Sequence, residues 1–289
     1  MRSILKHIFF KSAVKFFLLL GKFLKKNELL WVSSFLGSLL YLLPLKRKYV
    51  AFENLKIAFG QQYEKKELKR LLKRFIQGII LTGLEIAFII KKKEKLAEWA
   101  KASGIEYFDE ALKKNKGVIA LSAHLGNIPI MLAWLAEKGY QVAVLFKEGK
   151  YLPKGFLYNL ISSYKIYPIP FHSDKEVPRE IIKALNKNMI VFILADQARP
   201  GIYAKFFGKY VQCQKGAFVI AQRKGSPIIP AFIIREKDGH KIKIYPEIEL
   251  QKDIMLLIEK YNMLVENLIR QYPEQYYWFH RRFKKMRLH

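Results

Sequence analysis

Two short polar clusters hold the residues of this sequence that are best suited to chemistry. The first is His124-Leu-Gly-Asn127, and the second, Asp196-Gln-Ala-Arg199, begins 72 positions after His124. A neutral imidazole accepts a proton from a hydroxyl group near neutral pH, which makes His124 a candidate general base. Gly126 would let a substrate approach the backbone, and Asn127 would cap a following helix whose free N–H groups stabilise negative charge. The alternative is a capping turn that holds a hydrogen-bonded histidine without catalysis.

The remaining histidines and the single cysteine indicate no metal or cofactor chemistry. Cys213 alone cannot form an intrachain disulfide, and no pair of the six histidines has the spacing of a zinc site. The sequence has no Gly-x-Ser-x-Gly elbow, no Walker loop and no dinucleotide-binding fingerprint. We therefore expect a protein that needs neither a metal nor a cofactor. His172 is a minor candidate for substrate contact, and His280 belongs to an aromatic cluster near the C-terminus.

An alternation of apolar strands and helices from about residue 103 onward would position both polar clusters. We predict strands at 117–123, 141–146, 165–169, 189–195, 227–235 and 241–246, together with helices at about 128–138, 151–163, 175–187, 214–224 and 252–271. This pattern is typical of an α/β fold with a mostly parallel central sheet and flanking helices. Ligands of such sheets bind beyond the carboxyl ends of the strands, so His124 and Asp196 should share one edge of the sheet.

The first third of the chain is predicted to be helical and to contact a membrane. Residues 8–20 are apolar apart from two lysines, and residues 29–43 contain no charge before Pro44 and three basic residues. A spanning helix needs about 20 apolar residues, so four alternatives stay open: a bilayer span, an interfacial anchor, a signal peptide at 1–20 and a buried hairpin. We expect a membrane-associating segment at 1–45, held on the cytoplasmic side by its basic flanks, a helical region at 46–102 and an α/β domain at 103–289.

The composition narrows the classes of protein and of partner. The 289 residues include 52 Lys+Arg and 24 Asp+Glu, a formal charge of +28, while hydrophobic residues make up 51% and aromatic residues 14%. A chain this apolar and aromatic is not disordered. Its positive charge indicates a membrane surface or an acidic partner, although a lysine-rich composition also occurs in heat-adapted proteins. The sequence has no zinc-finger spacing, RRM signature or basic-zipper heptad, so we predict no nucleic-acid partner.

Several stretches of the sequence follow one another in an order that is more specific than any of them alone. They are Asn54-Leu-Lys-Ile-Ala-Phe59, Ala-His124-Leu-Gly-Asn127, Ala195-Asp196-Gln197, Phe206-Phe207-Gly208 and Pro273-Glu-Gln-Tyr-Tyr-Trp278-Phe-His280-Arg281-Arg282-Phe283. This ordered set covers nearly the whole chain and resembles the lipid A late acyltransferases, the lauroyl and myristoyl transferases of Gram-negative bacteria. His-x-Gly-Asn alone is weak evidence, whereas the set with its C-terminal stretch is distinctive.

The resemblance implies an inner-membrane enzyme with a glycerolphosphate-acyltransferase-like α/β domain. Members of that family transfer a fatty acyl chain from acyl carrier protein, or sometimes acyl-CoA, to a hydroxyl of a lipid A precursor. The carrier protein is acidic and the lipid acceptor carries phosphates, so the basic charge of this chain would steer both. With the resemblance, His124 is expected to be the general base, and the basic flanks of the first segment place the enzyme on the cytoplasmic face of the inner membrane.

One position departs from the family pattern, in which an acidic residue follows the histidine after four other residues. Position 129 is Pro129 here, a residue that the first turn of a helix tolerates. Loss of an orienting carboxylate costs roughly 10⁴ in rate in the serine-protease case. Three explanations compete: Asp196 replaces the missing acid, His124 works alone and more slowly, or the protein is a non-catalytic homologue that binds lipid or carrier protein. For Asp196 itself the alternative role is structural: its carboxylate would accept hydrogen bonds from backbone N–H groups of its own loop.

Further residues are predicted to bind substrate. The family usually has arginine after the second strand, whereas this chain has Lys147 and Lys165, whose ammonium groups would bind phosphate less directionally. Phe206 and Phe207 would line or close an acyl pocket, with plain core packing as the alternative. The set predicted to contact substrate comprises Gly126, Asn127, Lys147, Lys165, Arg199, Phe206, Phe207, Arg281 and Arg282. For the charged members of this set, the alternative is a solvated surface position.

Overall fold

The computed structural model describes residues 2–92, 96–148, 154–171, 173, 176–198, 200–284 and 286–287. The helices of this part are α1 Arg2–Phe23, α2 Leu29–Leu42, α3 Lys46–Phe59, α4 Lys65–Lys92, α5 Glu106–Lys113, α6 Ile128–Glu137, α7 Phe156–Ser163, α8 Val177–Asn186, α9 Gly216–Lys224 and α10 Ile254–Gln271. The strands are β1 Ala100–Ser103, β2 Val118–Ser122, β3 Val142–Phe146, β4 Tyr167–Pro170, β5 Ile190–Leu194, β6 Ile202–Phe206, β7 Lys209–Cys213, β8 Ile228–Glu236, β9 Gly239–Ile244 and β10 Met286–Arg287.

Seven of these strands form a mostly parallel central sheet in the order β1-β9-β8-β2-β5-β3-β4. The neighbours from β8 to β4 are all parallel, while β9 returns antiparallel to β8 through a two-residue turn. Strand β1 then pairs with β9 in parallel. This topology, with helices flanking the sheet, confirms the predicted fold class.

The central strands explain why the sheet is buried on both faces. Strands β2 and β5 are continuous apolar runs, and alternate residues of a strand point to opposite faces. Ile119 and Leu121 therefore enter a core that includes residues of α8, α9 and α10. Val118 and Ala120 enter a second core that includes residues of α4, α5 and α6. The sheet is thus held between two apolar layers, which fixes the positions of its strand ends.

The N-terminal helices pack on α4 through close backbone contacts and leave an apolar face uncovered. A Cβ atom at Gly21 would lie 2.5 Å from the Ala87 carbonyl carbon, and one at Gly37 would lie 2.6 Å from Gln77 Cα. The opposite faces of α1 and α2 carry exposed large apolar side chains, among them Phe16, Phe23, Leu30, Trp31, Phe35 and Leu42. Within the described ranges, no single helix is long and apolar enough to cross a membrane; the adjacent segments Lys26–Leu42 and Lys46–Phe59, bent by 97°, meet that criterion only together.

Two parts of the fold differ from the sequence prediction. The sheet begins at β1, before residue 103, and α5 follows it; neither element was predicted. The segment between Asp196 and residue 214, for which neither a strand nor a helix was predicted, contains the hairpin β6–β7, which forms a second sheet with β10. Its two turn residues, Phe207 and Gly208, have φ angles of 50° and 68°. Such turns usually contain Asn-Gly or Asp-Gly, so a phenylalanine at the first position concealed the hairpin.

Candidate active site

His124 and Asp196 meet at the carboxyl edge of the central sheet. Strands β2 and β5 are parallel neighbours with Ser122 opposite Leu194, and each of the two polar residues follows the end of its strand by two positions. His124 Nδ1 lies 2.8 Å from Asp196 Oδ1. The geometry therefore contains the hydrogen bond expected of a carboxylate that replaces the acid missing at Pro129. The catalytic role of the pair stays a prediction.

Burial and charge determine where the proton of this pair resides. Asp196 is 1% exposed, and burial alone would raise its pKa, but the charge of His124 and its hydrogen bond lower the pKa to about 2. The carboxylate is therefore ionised at neutral pH and only accepts, so His124 Nδ1 donates to it. The other ring nitrogen, Nε2, then carries the lone pair that a general base requires. The His124 side chain is 30% exposed, which leaves the ring accessible.

A second histidine and a glutamine lie against the reactive side of His124. The ring centroids of His124 and His280 are 4.5 Å apart. Gln197 Nε2 lies 3.1 Å from His124 Nε2 and 3.3 Å from His280 Nε2. Burial lowers the pKa of His280 to about 4 despite the opposing charge of Asp196, so this ring is neutral at pH 7. The C-terminal segment also holds the backbone, because the Tyr277 N–H donates to the His124 carbonyl at 2.8 Å.

The structure gives Gly126 and Asn127 tasks other than the predicted contact with substrate. Gly126 has a φ of 67°, and a Cβ there would lie 2.0 Å from the Ile233 carbonyl oxygen, so the close neighbour is the protein's own backbone. Asn127 is fully buried and is the N-cap residue of α6, but its side chain makes no capping hydrogen bond. Its Nδ2 instead donates to Glu85 Oε2 at 2.9 Å. Both residues therefore shape the loop that carries His124.

The start of α6 offers fewer free N–H groups than the sequence suggested. Pro129 has no N–H, and the N–H groups of Ile130 and Met131 bond the Asn127 carbonyl. Among the first four residues of this helix, only Ile128 keeps an N–H without a described partner. The helix end is therefore a weaker source of stabilisation for negative charge than expected.

Glu85 of α4 is the centre of a buried polar network behind the His124 loop. Its carboxylate accepts hydrogen bonds from Arg235 Nε at 2.8 Å and Nη2 at 2.7 Å, and it lies 3.3 Å from His240 Nε2. Burial would raise the pKa of Glu85, but the hydrogen bonds and charges of Arg235 and His240 outweigh it and lower the pKa to about 2. Together with Asn127, this network ties α4 to β8, β9 and the start of α6.

An apolar cavity of about 630 Å³ opens beside His124. Helices α4, α6 and α7 and strand β3 supply most of its wall, with isoleucine and leucine side chains such as Ile89, Leu132 and Leu160. Its polar lining includes His124, Lys147, Glu148, Gln197 and Gln214. A volume of this size with a few convergent polar groups is typical of a small-molecule site.

The cavity includes one of the two predicted phosphate-binding lysines. Lys147 follows β3 at the carboxyl edge of the sheet and lines the cavity. Lys165 is exposed and precedes β4, which runs parallel to β3. Lys165 itself does not line the cavity, although its neighbours Tyr164 and Ile166 do, and its predicted contact with substrate stays a prediction.

The predicted aromatic and basic substrate contacts separate into buried and exposed residues. Phe206 and Phe207 do not line the cavity; they are buried, and they pack with Phe59, Trp278 and Phe283. Arg282 is 1% exposed and donates to the Gln212 carbonyl at 2.7 Å, so it supports the β6–β7 hairpin. Arg281 is exposed, and its predicted role stays open. The remaining candidates, Arg199 and His172, lie outside the described residues.

Comparison with known proteins decides the family. Residues 2–285 match the family described as bacterial lipid A biosynthesis acyltransferase. The chain belongs to that family. The lipid A biosynthesis palmitoleoyltransferase of Escherichia coli (strain K12) is 26% identical over 254 residues, covering 83% of this chain and 79% of that protein. The lipid A biosynthesis lauroyltransferase of the same strain is 23% identical over 262 residues, covering 86% and 83%. This chain is therefore an acyltransferase of the lipid A biosynthesis type.

A third relative, which matches a shorter part of the chain, acts on a different class of lipid according to its name. The phosphatidylinositol mannoside acyltransferase of Mycolicibacterium smegmatis is 24% identical over 162 residues, covering 54% of this chain and 52% of that protein. Similarity to this acyltransferase extends the comparison from lipid A to another glycolipid.

The site of this acyltransferase contains three residues whose positions sequence reasoning did not find. Gln197 and His280 occur in stretches that carried the resemblance, yet they are 83 positions apart, and a single sequence does not show that they touch. Glu85 occurs within the long amphipathic helix α4, where a lone acidic residue reads as solvated. The only available signal was its place among apolar neighbours in Leu-Glu-Ile-Ala-Phe, which predicts a buried carboxylate that needs partners.

Proposed function

We propose that this chain transfers a fatty acyl chain from acyl carrier protein or acyl-CoA to a hydroxyl of a lipid A precursor or a related anionic glycolipid. The observation that carries the proposal is the Asp196–His124 hydrogen bond of 2.8 Å beside an apolar cavity of about 630 Å³. Family membership supplies the reaction class, and this geometry supplies a base and a place for an apolar chain.

His124 is the general base in the proposed reaction. Its Nε2 takes the proton of the acceptor hydroxyl, whose oxygen attacks the thioester carbonyl carbon of the donor. The resulting tetrahedral intermediate expels the thiolate as the carbon–sulfur bond breaks, and the imidazolium Nε2–H protonates that thiolate. Asp196 holds the ring by Nδ1 and stabilises the imidazolium while it exists. Asp196 would thus perform the task of the acidic residue that the family pattern has at position 129.

The cavity would hold the acyl chain, and basic residues would hold the charged ends of the substrates. Its wall is mainly aliphatic, which suits a hydrocarbon chain. His124 lines the same cavity, so the thioester carbonyl of a bound chain would lie next to it. Lys147 lines the same cavity, and Arg281 is exposed on the C-terminal segment that includes His280. We assign both to anionic groups of the donor or the acceptor.

The uncovered faces of α1 and α2 would place the enzyme on the cytoplasmic surface of the inner membrane. Trp31 and Phe35 are 71% and 56% exposed and stack at 6.1 Å, and basic residues flank both helices. Exposed aromatic side chains next to lysines are typical of interfacial helices on anionic lipid. The acceptor lipid would then reach the site without leaving the membrane.

Vesicle binding tests this attachment. We expect Trp31→Ser with Phe35→Ser to weaken cosedimentation with anionic vesicles by at least about tenfold, because two exposed aromatic rings leave the lipid. Met263→Ser is the matched control, since Met263 is 62% exposed on α10. Equal losses in both variants, or binding by neither the variants nor the wild type, would contradict the proposal.

Acyl transfer by the purified protein tests the reaction. The assay combines fatty acyl carrier protein, or acyl-CoA in a parallel reaction, with a lipid A precursor, and mass spectrometry detects the acylated lipid. We expect product with the wild type and none with His124→Ala, at an unchanged melting temperature. Retained lipid binding without turnover would favour the alternative, a non-catalytic homologue that binds lipid or carrier protein.

A further inference from the structure

One carboxamide faces the reactive nitrogens of two histidines. Gln197 Nε2 lies within hydrogen-bond distance of Nε2 of both His124 and His280. An amide nitrogen only donates, so each ring must offer a lone pair to it. Gln197 thus occupies the same nitrogen of His124 that the proposed reaction needs.

We infer that Gln197, anchored by His280, caps the lone pair of His124 Nε2 in the empty site and yields that position to the acceptor hydroxyl. This inference rests on the proposed function, because it names what the incoming hydroxyl must displace. Gln197 and His280 are positioning residues in this scheme, since neither takes the proton. In the exchange, one Gln197 N–H···N bond to His124 is replaced by the acceptor O–H···N bond, while the Gln197 bond to His280 is kept.

The surroundings fix the orientation of the Gln197 amide. His124 donates through Nδ1 to the ionised Asp196, so its Nε2 is free to accept. His280 is neutral at pH 7, because burial lowers its pKa to about 4 in spite of the opposing charge of Asp196. A reversed amide would direct its oxygen toward both rings and would require a proton on His124 Nε2. The amide nitrogen therefore points inward while His124 is neutral.

The anchor on His280 explains why the cap is displaceable. A glutamine held only by His124 would lose its single partner when a hydroxyl arrives, whereas this one retains a partner 3.3 Å away. His280 is itself held by the backbone, since its carbonyl accepts a hydrogen bond from Asn54 Nδ2. The C-terminal segment thereby keeps a second acceptor beside the base.

Two measurements on the full-length protein test the cap, and neither requires acyl transfer. The first is the ring ¹⁵N spectrum of histidine-labelled wild type at pH 7, in which we expect Nε2 of His280 to carry no proton. The second is the rate at which diethyl pyrocarbonate, which attacks the unprotonated imidazole nitrogen, modifies His124, followed by mass spectrometry.

Gln197→Leu should raise the modification rate of His124 roughly 2- to 10-fold, the factor that one neutral hydrogen bond represents. Leucine keeps much of the side-chain bulk, so the gain reports the lost donor and not an opened channel. Gln222→Ala is the control, because the amide of Gln222, on α9, donates to the Gln251 and Lys252 carbonyls away from the site, and its loss should leave the rate unchanged. If transfer activity is measurable, Gln197→Leu should also lower the acceptor KM by a similar factor, which separates a displaced cap from a structural role.

A proton on Nε2 of His280 in the wild type would overturn the inference, whether or not any variant folds. An unchanged or slower modification of His124 in Gln197→Leu would overturn it too. Failure of the acyl-transfer assay alone would instead remove the proposed reaction, since the spectrum and the modification rate report the cap by themselves.

Discussion

Two buried carboxylates, Asp196 and Glu85, each contact a histidine, and the two pairs behave differently. Asp196 bonds His124 at 2.8 Å, and Glu85 lies 3.3 Å from His240. Both carboxyl groups have a pKa of about 2 in spite of burial. The histidines differ in access, since the His124 side chain is 30% exposed and that of His240 is 1% exposed. Glu85 also bonds Arg235, a permanent cation.

The difference shows that a carboxylate–histidine contact does not by itself make a catalytic pair. A base must reach substrate with one nitrogen while the carboxylate orients the other. His124 meets both conditions, whereas His240 is enclosed and shares its carboxylate with Arg235. The ion pairs of Glu85 therefore hold α4 against the sheet, whereas Asp196 pairs with His124.

The sharpest test of this division is Asp196→Asn. We expect kcat to fall roughly 10³- to 10⁴-fold, because the amide cannot stabilise the imidazolium and no longer fixes the tautomer. The melting temperature should fall less than that of Glu85→Gln, since Asp196 pairs with a partly exposed histidine whereas Glu85 also pairs with Arg235. Steady-state kinetics and a thermal melt on the same preparation check both expectations. A variant that keeps more than a tenth of the wild-type kcat would show that His124 works without Asp196.

Glu85→Gln should give the opposite result, a large loss of stability with a smaller loss of activity. Removing one partner of a buried ion pair leaves Arg235 uncompensated, which costs roughly 3–5 kcal/mol of unfolding free energy. Urea denaturation measures this loss. Glu110→Gln is the control, because the Glu110–Lys113 pair is 69% exposed on both sides and should be indistinguishable from wild type. A larger effect of Glu85→Gln on kcat than on stability would contradict the division.

The free energy of unfolding should fall at acid pH because the carboxylate of Glu85 becomes protonated. The pKa of Glu85 falls from an ordinary 4.5 to about 2 on folding, so its contribution is present above pH 4.5 and is lost as the pH falls toward 2. The shift corresponds to roughly 3 kcal/mol, and Asp196 adds a loss of the same sign over a similar range. We expect the Glu85→Gln curve to be flatter than that of the wild type in denaturation series from pH 5 to 2. Parallel curves would show that Glu85 is not ionised in the fold.

From the sequence, the residues at the sheet edge that holds the site were easier to predict than the aromatic and basic residues around it. Continuous apolar runs fix β2 and β5, and parallel pairing then brings His124 and Asp196 together without further information. Phe206 and Phe207 were less predictable, because the same aromatic residues serve an acyl pocket or a core, and only packing against Trp278 decides. The burial of Arg282 was hard to predict for a similar reason, since a basic residue in a basic run reads as solvated until its carbonyl partner is known.

The smallest expected effect concerns the position at which the family acid is missing. Pro129 lines the cavity as the second residue of α6, where a glutamate would meet the favourable end of the helix dipole. His124 Nδ1 is already bonded to Asp196, however, so a new carboxylate has no unoccupied donor on that side of the ring.

We therefore expect Pro129→Glu to change kcat by less than about threefold, with any change toward lower activity because a charge enters an apolar cavity. Pro129→Ala is the matched variant that separates the added acid from the removed proline. An increase of tenfold or more in Pro129→Glu, absent from Pro129→Ala, would mean that the histidine lacks an effective acid in the wild type. Asp196 would then resemble Glu85, a carboxylate that holds its neighbours in place, and the contrast between the two pairs would disappear.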